Sequence, residues 1–177
     1  MNTMLKRLEH EFEVYKITER KPGMTTLKVE KDNAESLIRE LRDREGYTHL
    51  NFMTCIDYIE EGIFTLVYML HNYQQKHTIG VHVNISRVQA EMTSIHTLWA
   101  QAWTYQRELR EMYGIRFPGS PRLDDDFCLE GWDDIPPMRR EFDSAAFSTE
   151  RFTFREGRAS EEPREHMAHE IYPERSQ

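Results

Sequence analysis

The run Ile63-Phe64-Thr65-Leu66-Val67-Tyr68-Met69-Leu70 is apolar at almost every position. It falls well short of the roughly 20 residues of a membrane span. A strand without a polar face is buried on both sides, so this run is predicted to be the centre of a sheet. Its neighbours support that reading. Upstream, Leu50, Phe52, Thr54, Ile56 and Tyr58 alternate and are expected to share one face of a strand. Downstream, Ile79, Val81, Val83 and Ile85 alternate with Thr78, Gly80, His82 and Asn84. The connections, Glu60-Glu61-Gly62 and His71 to His77, are short and polar, which predicts antiparallel hairpins.

Two further strands are expected, around Phe12 and Val14 and around Thr25, Leu27 and Val29, with Pro22-Gly23 as the turn. A helix is predicted over 34–44. Asp32 is its expected N-cap with Glu35 three residues later, Ala34, Leu37, Ile38 and Leu41 form its apolar face, and Gly46 ends it. A second helix is predicted over 95–113, stopping at Gly114, with Leu98, Ala102, Tyr105, Leu109 and Met112/Tyr113 as its stripe. Trp103, Arg107, Arg110 and Glu111 fall on its far side. They form either a solvated charged face or a second contact surface, since Trp and Arg are enriched at interface hot spots.

The expected fold class is therefore α+β: a mostly antiparallel sheet packed with two helices, over residues 1–115. Residues 116–147 follow as a Gly/Pro/Arg-rich segment with turn chemistry, including Gly119, Pro121, Pro136 and Pro137. From 148 to 177 the chain carries seven Glu and five Arg, with Phe152, Phe154, Ile171 and Tyr172 as its only sizeable apolar anchors. Such a segment cannot offset its own ordering entropy, so an extended tail is expected that lies over a neighbour in an assembly.

Few chemistries remain open. With 31 Asp+Glu against 23 Lys+Arg the net charge is -8, a poor match for nucleic acid, whose phosphates are bound by displacing counterions with Lys and Arg. The segment Met1 to Phe12 mixes Lys6, Arg7, Glu9 and Glu11 with single leucines and does not read as a signal peptide. Two cysteines, Cys55 and Cys128, form no CxxC and no Cys/His cluster, which points to a reducing, cytoplasmic setting and away from zinc or iron–sulfur ligation. GxGxxG, P-loop, HExxH and GxSxG patterns are all missing. Asp124, Asp125 and Asp126 fail the EF-hand spacing, because Leu129 stands where glycine is required. No catalytic, cofactor-binding or metal-ligating residue is assigned. An inert buried thiol is the expected state of Cys55.

A dense set of motifs occupies 106–142. Gln106-Arg107-Glu108-Leu109-Arg110-Glu111-Met112-Tyr113-Gly114-Ile115 is followed by Gly119-Ser120-Pro121-Arg122-Leu123 and then by Pro137-Met138-Arg139-Arg140-Glu141-Phe142. These blocks resemble the signature of the NuoC-type component of respiratory complex I (NADH–quinone oxidoreductase), a family with relatives in membrane-bound energy-converting hydrogenases. Leu50 to Tyr58, Phe64 to Leu70 and Thr93 to Trp99 resemble it too, so the likeness spans about 25–143. Ser120 departs from a histidine of the pattern, Gln106 from a glutamate, and Arg110 stands where an aromatic residue is common. Pro136-Pro137-Met138-Arg139-Arg140 and the glutamate-rich tail resemble the hydrogenase-related branch more closely.

The resemblance implies a small non-catalytic α+β subunit of the peripheral arm of a membrane-associated, ion-translocating electron-transfer complex. It implies no cofactor in this chain. Iron–sulfur clusters, and nickel–iron in some branches, would sit in partners: a hydrogenase-like NuoD-type large subunit and NuoB-type and NuoI-type iron–sulfur subunits. The implied location is the inner face of the cell membrane, reached only through the complex. Its interface is expected to use Trp103, Arg107, Glu108, Glu111, Gly114, Pro121, Pro137, Arg139, Arg140, Phe152 and Phe154. The competing expectation is a free-standing small enzyme using Cys55 or the carboxylates Asp124 to Asp126.

Overall fold

The computed structural model describes residues 2–151, in two compact units, one ending at Phe142 and the other beginning at Asp143. The first unit is built on a five-stranded sheet. Its elements in chain order are α1 (Asn2–Glu11), β1 (Lys16–Lys21), β2 (Met24–Val29), α2 (Lys31–Asp43), β3 (His49–Tyr58), β4 (Ile63–Asn72), β5 (His77–Ser86) and α3 (Ala102–Tyr113). The strand order is β1-β2-β5-β4-β3. Every neighbouring pair is antiparallel except β2 and β5, which run parallel. The α+β class and the meander β3-β4-β5 stand as expected, with β4 inside the sheet and paired on both sides.

One face of the sheet is the core. Leu27, Val29, Leu66, Tyr68, Leu70, Ile79, Val81 and Val83 are fully buried there, with Leu37, Ile38 and Leu41 of α2 and Leu109 and Tyr113 of α3 packed over them. These residues alternate with outward-facing ones because successive strand side chains point to opposite faces. α1 joins the same layer: Leu8 is fully buried, and Arg7 pairs with Glu40 at 2.8 Å and Glu45 at 2.6 Å.

Several boundaries differ from the sequence expectation, each for a physical reason. Phe12 and Val14 are not in a strand: the Phe12 amide closes onto the Leu8 carbonyl, and Glu13 takes a positive φ of 54°. The strand that does form, Lys-Ile-Thr-Glu-Arg-Lys, is mostly exposed and has one apolar residue, so it carries no periodic signal. Asp32 is not the N-cap of α2. Glu30 occupies that place without a side-chain cap bond, and Asp32 sits in the first turn, where its charge favours the positive helix end. Leu50 does not share a face with Phe52, Thr54, Ile56 and Tyr58. A bulge between Leu50 and Phe52 turns Leu50 into the core while Phe52 stays 42 % exposed. α3 begins at Ala102, not at 95. Residues 95–101 make single turns such as Leu98 N to Ile95 O at 2.9 Å, while the Trp99 and Gln101 side chains donate to the carbonyls of Thr48, just before β3, and Leu50 within it.

The second unit contains α4 (Ser144–Arg151), opened by Asp143, whose carboxylate accepts from the Ala145 and Ala146 amides at 3.0 and 2.9 Å. Residues 148–151, expected to be extended, continue this helix. Phe152, Phe154 and the rest of the expected tail lie outside the described residues.

A buried polar trio lies among the apolar core. Tyr47 and Thr25 both contact His77, whose Nδ1 is 2.8 Å from the Tyr47 hydroxyl and whose Nε2 is 3.2 Å from Thr25 Oγ1. Burial lowers the His77 pKa below the ordinary imidazole value. The unfolded chain therefore takes up this proton first, and stability should be full above about pH 6.5 and fall below it. Thermal melts of the intact chain at pH 7.5 and 5.5 test this. His77→Gln should cost about 1–3 kcal/mol at the higher pH and flatten the pH dependence; an unchanged slope would contradict it.

Candidate functional site

α3 and the irregular chain after it carry the expected interface. Gly114 ends the helix in a left-handed conformation, φ 76°, with its amide on the Arg110 carbonyl and the Ile115 amide on that of Leu109. A Cβ there would also stand 3.2 Å from Arg139 Nη2, so the guanidinium would have to give way slightly. Ile115 and Phe117 then enter the core fully buried, which fixes where the following segment begins.

Arg107 and Glu111, one helical turn apart, each grip the loop 122–132. The Arg107 guanidinium donates to the backbone carbonyls of Asp125 and Asp126. It also lies over the rings of Trp103 at 5.4 Å and Phe127 at 5.8 Å. Glu111 accepts from three successive amides: Phe127 at 2.7 Å, Cys128 at 2.9 Å and Leu129 at 3.2 Å. Partial burial pushes the Glu111 carboxyl up, but these backbone donors outweigh it and hold the pKa below the usual carboxylate value. The spacing of Arg107 and Glu111 permits an i,i+4 pair, yet both are directed at the loop. Arg122 lies over the Trp103 ring at 5.9 Å and pairs with Asp125 at 2.5 Å.

The segment 136–142 is fastened to the sheet by a second set of ties. Arg139 Nε donates to the Tyr113 carbonyl at 2.7 Å, and its guanidinium lies 5.3 Å from the centre of the Phe64 ring. The Arg140 amide donates to Asp57 Oδ2 at 3.0 Å, while its side chain pairs with Glu60 at 2.5 Å. Arg87 completes the group, donating to Asp57 through Nε at 2.7 Å and Nη2 at 3.0 Å and pairing with Glu141. Asp57, Arg87 and Glu141 escaped the sequence reading because their partners lie 30 to 83 positions away and follow no period.

The expected interface residues on 103–140 thus come together around α3 and the chain after it. Trp103, Arg107, Glu108, Glu111, Gly114, Pro137 and Arg139 are half-buried, and Pro121 and Arg140 are exposed. Apolar side chains stand out from this rigid block: Met138 is 55 % exposed, Ile135 43 % and Phe127 36 %. Between the loop and the helix lies a polar cavity of about 230 Å³ lined by Arg107, Arg110, Glu111, Trp132 and four aspartates.

The residues of the competing enzyme reading are not assembled. Cys55 is buried, and burial pushes its thiol up to about 12, so it stays protonated and is a poor nucleophile. Asp124 pairs with Arg110 at 3.6 Å and Asp125 with Arg122. Among the described residues no group of three His, Cys, Asp or Glu is placed to hold a metal ion.

The described residues thus form a helix-backed, mostly antiparallel sheet followed by an arginine-tied segment that leaves Phe127, Ile135 and Met138 exposed. Comparison with known proteins identifies the family. The family model described as "Respiratory-chain NADH dehydrogenase, 30 Kd subunit" matches residues 27–148, and the chain belongs to this family. The C-type component of the NADH-quinone oxidoreductase of Moorella thermoacetica is 32 % identical over 116 residues, covering 66 % of this chain and 78 % of the relative. A C/D-type component of the same oxidoreductase in Aquifex aeolicus is 31 % identical over 115 residues, covering 64 % of this chain and 19 % of that much longer one. Among solved structures, a chain of the membrane-bound sulfane sulfur reductase, an archaeal respiratory membrane complex, superposes with a TM-score of 0.71 at 21 % identity, over 88 % of this chain and 96 % of the other. That likeness establishes the shared fold.

Replacing Glu111 by Gln removes the charge that three amides share. The 122–132 loop should then be cleaved several-fold faster by a limiting protease, with a global cost of about 1–2 kcal/mol. Wild-type chain should show the same loop release only as pH falls through the lowered Glu111 pKa. Equal cleavage rates for variant and wild type would count against this role.

Proposed function

We propose that the chain is a non-catalytic peripheral-arm subunit of a membrane-associated, ion-translocating electron-transfer complex, of the complex I or energy-converting hydrogenase kind. Its work is to dock on and stabilise a hydrogenase-like, NuoD-type large subunit and the adjoining NuoB-type and NuoI-type iron–sulfur subunits. Any iron–sulfur or nickel–iron centre belongs to those chains. The observation that carries this reading is the block 103–142, held rigid by internal arginine and glutamate ties yet presenting Phe127, Ile135 and Met138 to the outside. A preorganised apolar rim lowers the ordering cost of binding, which favours a stable interface. The Aquifex aeolicus relative supports the choice of partner, since its name joins the C and D parts in one protein. No described helix is long and apolar enough to cross a membrane, consistent with attachment through the complex.

Affinity purification of the tagged full chain from its host is the direct test. It should bring down a large subunit and iron–sulfur subunits in fixed ratio; elution alone or as a homo-oligomer would overturn the proposal. Arg139→Lys keeps the charge but loses the planar fork that reaches both the Tyr113 carbonyl and the Phe64 ring. It should lower stability of the isolated chain by about 1 kcal/mol and reduce recovery of the complex more than that loss explains.

A further inference from the structure

The helices and the block 103–142 pack on one face of the sheet; on the other the middle is buried, with Thr65 3 %, Thr26 and Val67 6 % and Met69 7 % exposed, while side chains of β3 stand out. This second face can be read row by row from the strand register. One row is Lys16, Lys28, His82, Val67, Thr54, and the next is Thr18, Thr26, Gly80, Met69, Phe52. Beyond them Asn84, Thr65, Ile56 and then Ser86, Ile63, Tyr58 continue the β5-β4-β3 part. Val67 and Met69 pack outside the main core, and Phe52, Ile56 and Tyr58 are 42, 39 and 39 % exposed. The face therefore has two halves: apolar along β3 and β4, basic along β1 and β2.

The charge distribution is strongly selective. In a chain of net charge -8, no carboxylate occupies any of these face positions. Lys16 and Lys28 stand directly opposite each other, an arrangement that costs stability in an antiparallel pair. Arg20 lies beside them with its Nε on Thr26 Oγ1 at 3.2 Å. With Lys16, Lys28 and His82 it lines a cavity of about 150 Å³, and among the described residues Lys16, Arg20 and Lys28 form no ion pair with an acidic side chain. Like charges kept together with no acidic partner among the described residues suit a surface that takes up an acidic one.

We propose that this second face is a further docking surface, taking a partner polypeptide that is apolar along one side and acidic along the other. Its apolar side would cover Phe52, Ile56 and Tyr58, and its carboxylates would neutralise Lys16, Arg20 and Lys28. A lone phosphate would use only the basic half. The apolar half lies two to three strand spacings away, about 10–15 Å, in the same plane, so one polypeptide can engage both. The docking block is tied to Asp57, Phe64 and Tyr113 on the covered side, so this surface would make the chain a bridge between two neighbours. The inference rests on the proposed assembly into a complex.

Photo-reactive residues placed at Ile56 and Lys28, with one at exposed Glu9 as control, test it in the complex purified from the host. Both face positions should give adducts with the same polypeptide of the complex, and the peptide joined at Lys28 should carry Asp or Glu. Lys28→Glu places opposite charges across from each other at Lys16, so the isolated chain should melt no lower than wild type. Recovery of the partner should nevertheless fall roughly tenfold or more. Adducts to lipid or to a second copy of this chain, no adduct from an assembled complex, or undiminished recovery with Lys28→Glu would each overturn the second surface while leaving the first in place. Failure to purify with any complex would instead remove the reading on which it rests.

Discussion

The bidentate pair between Asp57 and Arg87 is the joint on which the rest of the molecule hangs. Asp57 is the penultimate residue of β3, Arg87 follows β5, and the Arg140 amide completes the carboxylate's set of donors. The side chains are only 3 % and 13 % exposed, so each charge has given up most of its hydration. Breaking such a pair by removing one member costs about 3–5 kcal/mol, because the survivor stays buried and uncompensated. The pair therefore makes the irregular chain up to Phe142 part of the same unit as the sheet, and it is at Phe142 that the first unit ends. Arg87 and Arg139 also lie over the ring of the buried Phe64, at 5.1 and 5.3 Å, so one aromatic residue anchors both cations.

The parts of this fold that were legible in the sequence are those whose burial repeats with a fixed period. The runs of β4 and β5, and Ala34, Leu37, Ile38 and Leu41 of α2, sit where alternation and helical spacing place them. What escaped has no period. β1 is a charged edge strand held by pairing with β2 alone, and α1 is held in place through Leu8 and the ties of Arg7 to α2. The bulge beside Leu50 is invisible for a different reason: a single inserted residue leaves the alternation looking intact while sending Leu50 to the other face.

The docking block was legible as a composition but not as a set of contacts. Its prolines, glycines and arginines announced structure without periodicity, and the arginines read as free to grip a neighbour. In the structure Arg107, Arg139 and Arg140 are each engaged within the chain, with Asp125 and Asp126, with Tyr113 and with Glu60. A guanidinium has five donors, and irregular chain has unpaired carbonyls. Using the first to satisfy the second converts a loop into a rim of fixed shape. What the segment leaves exposed is the apolar side chains of Phe127, Ile135 and Met138.

The two edges of the sheet limit how anything else can attach. On the β3 edge the carbonyls of Thr48, Leu50, Asn51 and Cys55 accept from the side chains of Trp99, Gln101, Tyr105 and Tyr113. A row of acceptors capped by side chains offers little to an incoming strand. The opposite edge, β1, carries Lys16, Glu19, Arg20 and Lys21 within six residues, a charge density that strand addition would have to desolvate. Extension of the sheet by a partner strand is thus disfavoured at both ends. Side chains then offer the remaining means of contact, and there specificity would come from shape and charge rather than from the backbone pairing that any extended chain could supply.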